Sequence, residues 1–117
     1  MNEDQVNLLF GLFAGEDVVP EDYPELVEMA IEEVEEALLP DADVTDGKLC
    51  FLAGAVAALR YTQITAARDQ TACTYAGGIA QNTDATQKLK FAYELVEAYR
   101  RLCRHLLRDD AFAFRAV

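Results

Sequence analysis

Apolar residues recur along the chain in steps of three and four, the spacing of one face of an α-helix, and four stretches show this pattern. The first predicted helix begins at Asn2, a favoured N-cap residue, with Gln5 where a capping box is completed. Gly15 commonly ends such a helix. Its apolar residues are Val6, Leu8, Leu9, Phe10, Leu12 and Phe13. So short and apolar a helix is expected to be covered by other elements.

The second predicted helix places apolar and acidic residues on opposite faces. Pro24 suits its first turn, and Pro40 is expected to end it. The apolar stripe consists of Tyr23, Val27, Ala30, Ile31, Val34 and Leu38, and the opposite face of Glu25, Glu28, Glu32, Glu33, Glu35 and Glu36. Paired glutamates can act as acid/base groups or bind two metal ions, but no Glu-x-x-His motif accompanies these. We therefore predict a solvated or partner-facing acidic face.

The third predicted helix is apolar on several sides, which is typical of a central helix. Thr45 or Asp46 is the candidate cap. Gly54 belongs to a set of small residues spaced four apart, which permits close approach of another helix. The segment before the helix superficially resembles a calcium loop. A loop beginning at Asp41 would need Gly and Glu where Asp46 and Leu52 stand, so we predict no calcium site.

The fourth predicted helix has the most regular apolar stripe and a cluster of cations at its end. Asn82 or Thr83 is expected to cap it, and Tyr99 is interpreted as a core aromatic residue. The stripe, with the leucines that widen it, consists of Leu89, Ala92, Leu95, Val96, Tyr99, Leu102, Cys103 and Leu106. The last turns are predicted to carry Arg100, Arg101, Arg104, His105 and Arg108. Cations there complement the helix dipole, although four arginines exceed what a helix end requires.

A glycine-containing segment joins the third and fourth helices. Its Gly77-Gly78 pair lacks the Lys-Ser/Thr that follows in a phosphate loop, so we interpret the glycines as backbone geometry and not as a ligand site. Two alternatives fit residues 69–82: a flexible loop, or a short β-hairpin that pairs Thr71–Tyr75 with Ile79–Gln81. The segment is a candidate for assembly contacts through Tyr75, Gly77, Gly78 and Ile79.

The chain ends in "DDAFAFRAV", where aromatic and small residues alternate as in a short extended segment. Phe112 and Phe114 are followed by Arg115. Such a tail docks either on its own domain or on a neighbouring subunit that offers pockets for the aromatic side chains. These three residues are therefore further candidate assembly contacts.

The composition predicts a single folded domain of about four helices, all-α apart from the possible hairpin. The chain has 117 residues, of which 52% are apolar. We expect a soluble intracellular protein, because no apolar run approaches the length of a membrane span and the N-terminus is acidic where a signal peptide is basic. Cys50, Cys73 and Cys103 are odd in number and lack CxxC spacing, which argues against a disulfide framework and a thiolate metal site.

Charge is distributed unevenly along the sequence. Residues 1–47 contain fifteen of the 21 acidic side chains and no Lys or Arg, whereas residues 48–117 contain all ten basic side chains. The first part therefore carries −15 and the second +4, for a net charge of −11. Two interpretations remain open. Either the helices neutralise each other within one monomer, or one copy's acidic surface meets another copy's basic surface. The candidate contacts of the second interpretation are Glu28, Glu32 and Glu35 on one copy and Arg100, Arg101, Arg104 and Arg108 on the other.

No constellation of reactive side chains predicts catalysis. The sequence lacks a Walker motif, a dinucleotide-binding fingerprint and a nucleophile elbow. His105, the single histidine, has no Ser, Cys or Asp partner at a recognisable motif spacing. We therefore predict a protein that is not an enzyme and has no catalytic, cofactor-binding or metal-binding residues.

The order of elements in the second half resembles a known family. The succession "FLAGAVAALRYTQITAAR", a Gly-containing linker, "TQKLKFAYELVEAYRRLCRHLLRDD" and the ending "AFAFRAV" together resemble the head–tail connector (head-completion) proteins of tailed bacteriophages and prophages. The resemblance covers roughly residues 44–117. The acidic start of the chain departs from the family pattern.

The resemblance implies a small, mainly helical structural protein that assembles as a ring between portal and tail. The implied partners are further copies of the chain and the portal and tail or neck proteins, while packaged DNA passes through the ring without sequence-specific binding. No membrane and no cofactor is implied, and the location is the bacterial host cytoplasm during assembly and the virion neck if a particle is made. The alternative is a small acidic helical adaptor or regulator that binds one protein partner.

Overall fold

The computed structural model describes the backbone of residues 1–75 and 83–112, and the side chains of residues 1–68 and 85–112. Its helices are α1 Glu3–Ala14, α2 Pro24–Glu36, α3 Lys48–Tyr75 and α4 Thr83–Leu102. Single turns of 3-10 helix occur at Pro20–Asp22 and Arg104–Leu106. Over these described ranges the backbone forms one isolated β-bridge and no strand. The prediction of an all-α fold with long central and C-terminal helices is confirmed.

Both ends of α1 form as the sequence predicts. The Asn2 side chain accepts a hydrogen bond from the Gln5 backbone N–H at 3.1 Å. Gly15 ends the helix with a φ of 120°, a backbone conformation that strains any residue with a Cβ atom. The apolar residues of α1 that reach the core as fully buried side chains are Val6, Leu9 and Phe10.

The third helix is the centre of the fold, and α1, α2 and α4 all pack against it. Every residue from Leu52 to Leu59 is buried. Gly54 lies directly against α1, where a Cβ atom added to it would be only 2.7 Å from the Leu9 Cβ. The close helix approach predicted from the small residues is therefore confirmed at this crossing.

The segment Lys48–Arg68 of α3 is long and apolar enough, by length and composition alone, to cross a membrane. This finding corrects the expectation that no apolar run reaches that length. The high hydropathy arises because an alanine-rich run contains only three charged residues, Lys48, Arg60 and Arg68. Of its most apolar stretch, 56% is buried inside the fold, as in the core helix of a bundle.

Two carboxylate side chains stabilise the start of α3 and the turn before it. Asp46 Oδ1 accepts a hydrogen bond from the Lys48 backbone N–H at 3.0 Å, which confirms Asp46 as a cap. Asp43 accepts hydrogen bonds from the hydroxyl and the backbone N–H of Thr45. Because these bonds favour the ionised carboxylate, they lower the pKa of Asp43 below its usual value.

The hairpin alternative for the linker is wrong over its first half. Residues 71–75, expected as its first strand, are the last residues of α3, which ends at Tyr75. Backbone groups that form the helix are not available to a β-ladder, and the alanines before this point favour helix. Gly77, Gly78 and Ile79 lie outside the described residues, as does the cap candidate Asn82.

The fourth helix ends earlier than its apolar stripe suggests. It stops at Leu102, and the chain turns at Cys103 before the short 3-10 turn. The Leu39 N–H donates to the Leu106 carbonyl, and the Arg108 N–H donates to the Ala37 carbonyl, each at 2.9 Å. The chain leaves the helical path because these bonds tie it to the residues after α2, which itself ends at Glu36 and not at Pro40.

Candidate assembly surfaces

Four arginines surround a cavity of 410 Å³ at the end of α4. We call Arg100, Arg101, Arg104 and Arg108 the arginine cluster. Leu107, Asp109 and Ala111 complete the lining. The concave shape arises because the chain folds back after Cys103, so that residues beyond the helix face its last turn. A cavity with this lining is suited to carboxylates or other anions.

Glu97 positions two members of the arginine cluster. Its carboxylate is 2.9 Å from Nη1 of Arg100 and 3.3 Å from Nε of Arg101. Arg100 Nε also donates to the Ala111 carbonyl at 2.9 Å, which fixes the folded-back segment against the helix. Arg104 and Arg108 are exposed, and neither forms an ion pair with any residue that the structure describes.

The structure corrects the interpretation of these arginines as helix-end cations. Only Arg100 and Arg101 lie in the last turn of α4. Arg104 and His105 belong to the 3-10 turn, and Arg108 follows it in an irregular segment. Interaction with the dipole of α4 therefore accounts for two arginines at most, because it acts within the last turn.

The outer face of α2 is acidic and exposed, as predicted. Met29, 54% exposed, is the apolar residue within it. We call the five exposed glutamates of this helix the acidic face: Glu25, Glu28, Glu32, Glu35 and Glu36. The sixth, Glu33, bonds to Arg60 at 2.7 Å on α3. Among the described residues no group of acidic, histidine or cysteine side chains could hold a metal ion.

Neutralisation within one molecule is limited in the described part of the chain. The ion pairs there join Arg60 to Glu33, and Arg100 and Arg101 to Glu97. The acidic face and two arginines of the cluster are thus left for contacts with solvent or other molecules. The two surfaces lie close together in space, because the Arg108 N–H donates a hydrogen bond to the carbonyl of Ala37, the residue directly after α2.

A third surface was missed by the sequence analysis. Leu8 and Leu12 are 68% and 72% exposed and lie one turn apart on the outer side of α1. They line an open groove of 700 Å³, here called the α1 groove. Its other lining residues are Asp4, Asn7, Gly11, Gly15, Glu16, Val18, Pro20 and Glu21. The sequence shows that this helix has more apolar surface than the single stripe that one core requires, but not which of its apolar residues stay exposed.

Of the three candidate contacts at the C-terminus, only Phe112 is among the described residues. Phe112 packs partly buried against the chain's own core, with a φ of 55°. This residue therefore docks in cis, one of the two alternatives for the tail. Phe114 and Arg115 lie outside the described residues, and the backbone of Tyr75 is described without its side chain.

Other residues singled out by sequence take structural positions. Tyr99 packs between Phe13 and Phe51, with ring centroids 5.6 and 5.4 Å away, so it is a half-buried aromatic residue at the edge of the core. Cys50 and Cys103 are buried free thiols. Burial raises the pKa of Cys103 to about 11, with a smaller contribution from the negative charge of Asp46. His105 is exposed.

Comparison of the chain with protein-family models, curated proteins and solved structures finds no match. Interpretation of its function therefore rests on the fold and on the three surfaces.

Proposed function

We propose that the chain is a self-assembling structural protein of the head–tail connector type, whose copies pack side by side into a ring. The observation that carries this proposal is the presence of unpaired charges of opposite sign on two different elements of one small molecule. The acidic face has five exposed glutamates, and the arginine cluster contains two arginines without an ion-pair partner in the described part. A second copy offers each surface a partner of opposite charge.

Contact between two different surfaces repeats from copy to copy. When the arginine cluster of one copy receives the acidic face of the next, the pair still presents one free surface of each kind, the acidic face of the first copy and the arginine cluster of the second. Such a heterologous contact closes into a ring if the rotation fits, and otherwise continues as a filament. The ring agrees with the resemblance of the second half to connector proteins, in which packaged DNA passes through the centre.

The strength of the contact is expected to depend on salt. An exposed ion pair contributes about 0–1 kcal/mol, so several pairs and some apolar contact are needed for stable association. Met29 supplies apolar surface within the acidic face. Because salt screens exposed charges over about 10 Å at 0.1 M, self-association should be strongest in dilute buffer.

The proposal is tested by sedimentation velocity over a concentration and salt series, followed by negative-stain electron microscopy. We expect oligomers that weaken as salt increases and closed rings of uniform diameter in the images. Protein that remains monomeric at high concentration in low salt, and that also fails to join isolated portal complexes, would refute the connector function.

A second candidate function is an acidic helical adaptor, favoured by the exposed Met29 within the acidic face. Such a surface suits a basic partner with an apolar pocket. The adaptor would be monomeric at all salt concentrations and would form a defined complex with that partner. Sedimentation of the isolated chain therefore separates the two candidates.

A further inference from the structure

The cavity of the arginine cluster has an excess of positive charge that its own surroundings do not balance. Its lining contains four arginines and one carboxylate, Asp109. Glu97, which pairs with two of the arginines, adds a second negative charge. Four positive and two negative charges leave +2 at the site, and counting the exposed Asp110 beside it still leaves +1. The glutamates of the acidic face do not line the cavity.

The arginines are partly fixed before any ligand binds, and the others are accessible. Glu97 pairs with two members of the cluster, and Arg100 Nε also donates to the Ala111 carbonyl at 2.9 Å. Arg104 and Arg108 are exposed and have no ion-pair partner in the described part, although Asp109 borders the same cavity. Guanidinium groups that are already held lose less conformational entropy on binding a ligand.

The size and charge of the cavity restrict the anion that it can hold. Its volume of 410 Å³ lies within the range of about 300–1,000 Å³ that is usual for small-molecule sites. One water takes up about 30 Å³ in the liquid, so a single phosphate group would fill less than half of the cavity. A carboxylate offers two acceptor oxygens and one negative charge, whereas a phosphate group offers about three oxygens and a charge of about −1.5 to −2. Several guanidinium groups around one cavity therefore suit an anion with more than one phosphate group.

We propose that this cavity binds a small molecule that carries a diphosphate group, such as pyrophosphate or a nucleoside diphosphate. The held arginines contact one phosphate group and the two unpaired arginines contact the other. Charge-assisted hydrogen bonds to planar guanidinium groups supply the affinity and the preference for phosphate. The site lies within one copy of the chain, so it does not depend on the proposed self-assembly.

Isothermal titration calorimetry near neutral pH and at about 0.15 M NaCl tests the site. We expect pyrophosphate to bind one site per chain with a dissociation constant of about 0.1 mM or below. Sulfate and inorganic phosphate, compared at equal ionic strength, should bind at least about tenfold more weakly, because a single tetrahedral anion reaches fewer guanidinium groups. ADP is titrated in parallel, and the tighter of the two diphosphates identifies the source of the group as a nucleotide or an inorganic anion.

Substitution shows whether the arginine cluster is the site. Arg104→Gln with Arg108→Gln should weaken pyrophosphate binding at least about tenfold. The melting temperature without ligand should change little, because both side chains are exposed and form no ion pair among the described residues. Lys88→Gln with Lys90→Gln is the matched control, since it removes the same two charges from exposed positions of α4 outside the cavity. This control should leave the dissociation constant within about twofold of the wild-type value.

Three outcomes would overturn the inference. Pyrophosphate gives no saturable binding, sulfate binds as tightly as pyrophosphate, or the lysine control loses as much affinity as the arginine pair. The last two would show that the chain attracts anions through general positive charge and not through this cavity.

Failure of this inference is distinguishable from failure of the proposed function. A chain that binds pyrophosphate but stays monomeric refutes ring assembly alone, whereas a chain that assembles without binding pyrophosphate refutes the anion site alone. If both proposals hold, pyrophosphate and the acidic face compete for the same arginines. Added pyrophosphate should then shift the oligomers towards monomers at constant ionic strength, as measured by sedimentation velocity. Oligomers that persist with the cavity saturated would refute the contact between the cluster and the acidic face, and leave the anion site in place.

Discussion

Gly54 is the residue on which the crossing of α1 and α3 depends. A Cβ atom there would be 2.7 Å from Leu9 Cβ and 3.3 Å from backbone atoms of Leu9 and Phe10. Because backbone atoms cannot move aside as a flexible side chain does, an added methyl group must push the two helices apart. The absence of a side chain at this position is therefore a packing requirement of the fold.

Gly54→Ala is expected to destabilise the protein even though alanine favours helix. The overpacking cost is about 1–3 kcal/mol, whereas the gain in helix propensity is about 1 kcal/mol. We expect a net loss of about 1 kcal/mol in the free energy of unfolding, measured by urea denaturation. Gly47→Ala is the matched control, since a Cβ atom at Gly47 meets nothing within 4 Å. Equal stability of the two variants would contradict this account of the crossing.

Cys103 is expected to resist alkylation in the folded protein. Its thiol is buried, it donates to the Lys48 carbonyl at 3.4 Å, and burial raises its pKa from 9.0 to about 11. Only the thiolate reacts, so iodoacetamide at mildly alkaline pH should leave Cys103 unmodified until the chain is denatured. Peptide mass spectrometry measures this, and modification of the native protein at the denatured rate would contradict it.

The same pKa shift has a consequence for stability. The folded state favours the protonated thiol, so the contribution of Cys103 is fully present below the unfolded pKa of about 9 and is lost as pH rises towards 11. Stability should therefore decline across this window less in Cys103→Ala than in the wild-type chain. Urea denaturation at a series of pH values measures the difference.

At the scale of elements, helix starts were predictable because they depend on local side-chain bonds. Asn2 and Asp46 cap their helices through bonds that span three residues or fewer. Helix ends were less predictable. The stripe through Cys103 and Leu106 keeps helical spacing, yet α4 stops at Leu102 because the chain bonds to residues after α2. Such long-range pairing has no local signature.

The surfaces also differ in how far the sequence predicts them. The acidic face was predictable, since six glutamates opposite one apolar stripe leave only one orientation for α2. The α1 groove was not, because periodicity did not show which apolar residues of α1 would face α3. The buried set is Val6, Leu9 and Phe10, and Leu8 and Leu12 remain outside. Of this set, Leu9 lies directly against Gly54 at the crossing of α1 and α3.

At the scale of the whole molecule, the bundle places its charges on different elements. The acidic face lies on α2, whereas the arginine cluster lies at the end of α4 and in the segment after it. Both helices pack on α3, which keeps their relative position fixed. Two copies can therefore present complementary surfaces to each other without any change in the fold.

Reversal of charge on both surfaces provides the sharpest test of this arrangement. Arg104→Glu with Arg108→Glu, or Glu28→Arg with Glu32→Arg, should each weaken self-association by at least about tenfold, because like charges then meet across the interface. Neither pair breaks an ion pair among the described residues, so the melting temperature of the monomer should change little.

A mixture of the two reversed chains should associate again. The glutamates placed in the cluster of one chain then meet the arginines placed on α2 of the other, so the attraction is restored with opposite sign. The two surfaces that remain free in this pair, the acidic face of the first chain and the arginine cluster of the second, keep their original opposite charges, so the mixture should continue into oligomers in which the two chains alternate. Sedimentation velocity distinguishes dimers from larger rings. Full-size oligomers of either reversed chain alone would show that these charges do not form the interface.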